Sequence, residues 1–131
     1  YLAGGTNPAA GSEIADAVPT NSRWKLKAAI GVLTTSSQVA SRAVSFKLDA
    51  NTTVIWQGLP GPAHAASLAR GYQELTYFTN ETAFDSAGYV RQNLPENLMF
   101  QAWNITTSTQ LKKSLDDWAA PSYLVEEWIE E

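Results

Sequence analysis

The chain has 131 residues, 44% of them hydrophobic, and a formal net charge of −4, which fits one globular domain with its own core and excludes a disordered polyelectrolyte. Nine Lys and Arg against thirteen Asp and Glu oppose a general affinity for nucleic acid, which comes mainly from cations neutralising phosphates. Cysteine is absent, so disulfides, a thiol nucleophile and thiolate metal ligands are excluded, and no apolar run approaches the roughly 18 residues that span a bilayer.

Residues 1–13 predict an extended N-terminal arm, because Gly4-Gly5, Asn7-Pro8 and Gly11 disfavour regular structure. Such an arm suits a strap laid over a neighbouring subunit, which makes Tyr1, Leu2, Asn7 and Pro8 candidate interface residues. Residues 14–131 predict a single β-sandwich domain. Ile14, Ala15 and Val18 form a short strand before Pro19. The run from Arg23 to Leu33 alternates strictly, with Trp24, Leu26, Ala28, Ile30 and Val32 on the inner face and Arg23, Lys25 and Lys27 on the outer one. Thr34 to Val39 is a polar turn. Arg42 to Asp49 alternates again, placing Val44, Phe46 and Leu48 inward. The turn signal Asp49-Ala50-Asn51 then leads into Thr52 to Trp56, the β-branched and aromatic partner of a hairpin.

Gly58 to Pro62 breaks the pattern, and a strand begins near Ser67 and runs to Phe78. Asn80 to Gly88 is a loop with Phe84 tucked inward, followed by a short extended piece at Tyr89 to Gln92. Leu98 to Ile105 predicts a strongly apolar strand. The polar stretch Thr106 to Leu111 after it nearly duplicates Thr34 to Val39. The last strand runs from Pro121 to Ile129. Seven or eight short strands separated by turns, with no βαβ pattern, define an all-β chain. The expected architecture is an antiparallel sandwich, jelly-roll-like.

Little in the chain can carry chemistry. His64 is the one imidazole, and its Gly, Pro and Ala surroundings predict an exposed loop histidine with no nucleophile motif beside it. Asp116-Asp117, Glu126-Glu127 and Glu130-Glu131 are adjacent carboxylates, and neighbours on a strand point to opposite faces rather than across a cleft. No catalytic, cofactor or metal-ligating residue is assigned. Three N-x-Ser/Thr sequons occur, at Asn51, Asn80 and Asn104. Of the five tryptophans, Trp24 and Trp103 lie in strong strands and predict core. Trp56, Trp118 and Trp128 are candidates for an interface, or for a face that stacks against sugar rings.

Gly5-Thr6-Asn7-Pro8-Ala9-Ala10-Gly11-Ser12, the Val18-Pro19 and Arg23-Trp24 pairs, and the ending Trp118-Ala119-Ala120-Pro121 with Leu124 to Glu130 resemble small structural proteins encoded in tailed-bacteriophage genomes. The resemblance implies a virion component of β-sandwich type, most like a capsid decoration (cement) protein. It would sit on the capsid surface as a homo-oligomer, a trimer favoured, against the major capsid protein or another virion protein. A head-fibre, neck or tail component, as an adaptor or carbohydrate-binding module, is the alternative. The resemblance carries no active residue, no cofactor, and no nucleic-acid or membrane partner.

Overall fold

The computed structural model describes residues 1–58, 60–76, 84–86, 89–109 and 115–129, with the backbone alone for 84–86 and 89. Among them are eleven strands: β1 Leu2–Gly4, β2 Ala15–Ala17, β3 Ser22–Thr34, β4 Val44–Ala50, β5 Thr53–Gln57, β6 Ala69–Leu75, β7 Phe84–Ser86, β8 Tyr89–Asn93, β9 Asn104–Thr109, β10 Asp117–Trp118 and β11 Ser122–Ile129. They form two sheets packed as a β-sandwich. The larger runs β1-β11-β3-β6-β8-β7, with β10 also on β3, and the smaller runs β2-β9-β4-β5. Pairing is antiparallel except between β6 and β8, which run parallel.

β3 is the spine of the larger sheet, and a bulge divides it. Leu124 of β11 stands opposite Ala28, and Val125 stands opposite Leu26, so Lys27 is an extra residue on β3. One extra residue reverses which side chains face the core. Before the bulge Trp24 and Leu26 are buried; after it Ala29, Gly31 and Leu33 are. Ile30 and Val32 therefore turn outward, each 37% exposed, and the expectation that they join the inner face is corrected.

The β4–β5 hairpin forms at the predicted turn. Asn51 holds the left-handed φ of 58° there, a conformation that asparagine tolerates better than most residues. The predicted strand from Leu98 to Ile105 is shorter than its hydrophobicity implies. Met99 makes only a two-bond bridge with Trp24, the Trp103 N–H closes a turn on the Phe100 carbonyl, and Ala102 takes a φ of 67°. Regular pairing starts at Asn104, so Thr106 to Thr109, expected as a turn, is strand. The two Thr/Ser-rich segments are thus not equivalent: one leaves β3, while Thr106 to Thr109 of the other lie within β9. Phe84, the Asn80 sequon, Gln110-Leu111 and Glu130-Glu131 fall outside what is described of the side chains.

The predicted arm is largely fixed to its own domain. β1 is an edge strand on β11, where the Tyr1 carbonyl accepts from the Val125 N–H. The Gly5 N–H donates to the Pro121 carbonyl and the Gly11 N–H to the Asp116 carbonyl. Glu13 accepts from the Thr109 N–H at 2.7 Å and from the Trp118 indole at 3.1 Å. Within the chain this segment is thus the edge partner of β11 and satisfies backbone groups that an unpaired edge would leave open.

The core lies between the sheets and is centred on aromatic rings. Trp118 meets Tyr72 at 5.9 Å and Phe46 at 6.2 Å, both edge to face. Gly31 lies beneath the Trp118 ring, where a Cβ would come within 3.1 Å of it. Glycine at this point of β3 is what lets the indole approach the sheet.

Candidate functional site

Two sites stand out, one buried and polar, one open and aromatic. In the buried site Arg42 and Asp116, both fully enclosed, form a bidentate pair: Nε donates to Oδ2 at 2.7 Å and Nη2 to Oδ1 at 3.1 Å. Asp116 Oδ1 also accepts from the Ser36 N–H, and Arg42 Nη2 donates to the Gln38 carbonyl. His64 lies alongside, held to Arg42 by a backbone bridge. Its Nε2 faces the Leu68 carbonyl at 2.8 Å, which can only accept, so Nε2 carries the proton. Nδ1 then accepts from the Tyr72 hydroxyl at 2.8 Å. Burial pushes the imidazole below its ordinary range, with Arg70 and Arg42 adding to that and the Leu68 carbonyl opposing it.

The exposed loop histidine expected from local composition is therefore corrected: His64 is 1% exposed, because the chain pairs it with Arg42 and stacks it on Tyr72. Among the described residues the groups placed against the imidazole are the Tyr72 hydroxyl and the Leu68 carbonyl. The arrangement ties together three loops: the one after β3, the one before β6 and the one before β10. Among the described residues no group of three His, Asp or Glu side chains is placed to hold a metal ion.

Glu74, on β6, is a second buried acid. It faces inward between Ala29 of β3 and Gln92 of β8, and among the described residues its Oε2 meets no donor. Burial pushes its carboxyl up to about 8 from an ordinary 4.5. The folded state therefore keeps a proton that the unfolded chain releases. This group's contribution to stability is full below about pH 4.5 and declines as pH rises to about 8. Glu74→Gln should flatten the urea midpoint across that window and raise it at pH 8. A pH slope unchanged by the substitution would locate the titration elsewhere.

The open site is a groove of about 730 Å³ lined by Arg23, Lys25, Glu96, Asn97, Leu98 and Trp128. β11 places Trp128 directly opposite Arg23 of β3, on the outward face. The Trp128 side of the groove is open, the residue being 48% exposed. Lys25 Nζ and Glu96 stand 3.1 Å apart. The Arg23 guanidinium lies over the Phe100 ring at 5.0 Å, and Phe100 packs edge to face on Trp103. Asn97 both accepts from the Leu26 N–H and donates to the Leu26 carbonyl, which fixes the turn carrying Glu96.

The remaining candidate interface residues are dispersed. Tyr1 and Leu2 are exposed beside β11, Asn7 is exposed, and Pro8 is half-buried. Trp56 packs partly against the core. Trp118 is wholly buried, so it belongs to the core and presents no surface; this corrects its place among the interface candidates. Adjacent acids do diverge: Glu126 pairs with Lys27 at 3.9 Å, while Glu127 accepts from the Trp24 indole at 2.7 Å. Sequence reasoning missed Arg42, Glu13 and Glu74. Each takes its surroundings from distant parts of the chain; Arg42 to Asp116 spans 74 positions, beyond any local pattern.

No family model matches the chain, and no curated protein or solved structure matches it. No helix among the described residues is long and apolar enough to cross a membrane.

Proposed function

We propose that this chain is a non-enzymatic structural protein of a bacteriophage virion, a capsid decoration (cement) protein that forms homo-oligomers on the head and bridges capsid subunits. One observation supports a docking role above others. The outer face of the larger sheet, where an antiparallel sandwich ordinarily presents polar side chains, carries an apolar row across three adjacent strands. Leu2 of β1 stands opposite Leu124 of β11, and Ile30 of β3 is diagonal to Leu124. With Val32 they are 67%, 42%, 37% and 37% exposed in the order Leu2, Leu124, Ile30, Val32. Covering such a row against a neighbour contributes to association through many modest contacts.

The test is addition of purified protein to undecorated, expanded shells, scored by co-sedimentation and by the melting temperature of the shell. Binding with a raised melting temperature is expected. Leu124→Lys should weaken attachment by about tenfold or more while leaving the protein's own urea midpoint near wild type. Failure of the wild-type protein to bind any expanded shell would reject the cement role, and full binding by the lysine variant would reject this face.

A second reading, a carbohydrate-binding module of a head fibre, neck or tail, is favoured by the open Trp128 indole beside the Lys25–Glu96 pair.

A further inference from the structure

We infer that the Trp128 groove binds an uncharged saccharide, with the indole beneath one sugar ring and the Lys25–Glu96 pair at its hydroxyls. The inference rests on the carbohydrate-binding reading and gives it a place and a ligand class. A pyranose has an apolar C–H face and an edge of hydroxyls, each of which both donates and accepts. The groove offers the complement of both. Its Trp128 wall is an aromatic plane left open to solvent, and its dimensions, about 730 Å³, fall within the range of roughly 300–1,000 Å³ usual for small-molecule sites. Sites of this kind are mostly apolar with a few placed polar groups, and here those groups are Lys25 and Glu96.

The pair suits hydroxyls better than a lone ion. Lys25 donates and Glu96 accepts, and at 3.1 Å their charges largely cancel. Two neighbouring hydroxyls can each meet one member without either ion losing a partner. An acidic sugar would set its carboxylate against Glu96. Asn97 is already engaged with both backbone groups of Leu26, and the Arg23 cation lies over the Phe100 ring. The backbone beneath the groove is set in advance: Trp128 is in register opposite Arg23, and Asn97 locks the turn that carries Glu96.

The experiment is an NMR titration of the full chain, following the indole N–H signals, with cellohexaose, maltohexaose and chitohexaose and, separately, with an oligogalacturonate. The Trp128 signal, assigned as the one missing in Trp128→Phe, should shift with at least one uncharged hexasaccharide and not with the oligogalacturonate. Trp128→Ala should weaken the Kd about tenfold or more, and Glu96→Gln should weaken it by a smaller factor. Binding that persists in Trp128→Ala with no shift of the Trp128 signal would overturn the groove while leaving a carbohydrate-binding role intact. Binding of the oligogalacturonate alone would overturn the uncharged class. No binding of any of the four would overturn the groove and the carbohydrate reading together.

Discussion

Asp116→Ala will lower the stability of the domain by about 3–5 kcal/mol, the usual loss when one member of a buried ion pair is removed. The reason lies in what is left behind. Arg42 is fully enclosed, and its guanidinium would lose both bonds to the carboxylate while remaining charged. The Ser36 N–H would lose its acceptor as well. Asp116→Asn separates these effects, since an amide oxygen can keep the Ser36 bond while the negative charge is gone, and it should fall between wild type and alanine. The double replacement Arg42→Met with Asp116→Leu should recover most of the loss. Desolvating the pair is itself costly, and among the described residues Arg42 Nη1 has no acceptor to offset it. Urea denaturation of the four proteins measures all of this. A single-variant loss under about 1 kcal/mol would mean that the pair behaves like an exposed one.

The same pair shows where local sequence stops being informative. The β4–β5 hairpin was legible because every cue is local: alternation on both sides and a turn residue that accepts a left-handed φ. β11 was legible for the same reason. β3 was legible as a strand but not in which residues face the core after Lys27, because the bulge depends on its register with β11 at the far end of the chain. His64 was misread because its flanking Gly, Pro and Ala describe a loop, whereas its burial comes from Arg42 and Tyr72. The parallel β6–β8 pairing also escaped, since the hydrophobic pattern of a short strand does not encode direction. Of the open site, Trp128 was visible as a candidate. Its partners were not: Glu96 comes from a turn that only the Asn97–Leu26 bonds bring against β3.

Trp118→Ala should by itself cost about 3–5 kcal/mol, as large-to-small changes of buried aromatics do. The indole is entirely enclosed and has Phe46 and Tyr72 at its edges. Alanine would leave a cavity, bounded on one side by Gly31, which has no side chain to fill it. The indole N–H also anchors Glu13, which in turn holds Thr107 and Thr109 of β9, so one side chain joins β10 of the larger sheet to β9 of the smaller. The informative comparison is Trp128→Ala in the same protein. Trp128 lies on the same sheet but is 48% exposed, and its removal should change the urea midpoint by a small fraction of the Trp118 effect. If the two substitutions were equally destabilising, Trp128 would be a cohesive residue, and its exposure would not mark a ligand surface. If Trp118→Ala were nearly silent, the aromatic centre of the sandwich would not be what holds its two sheets together.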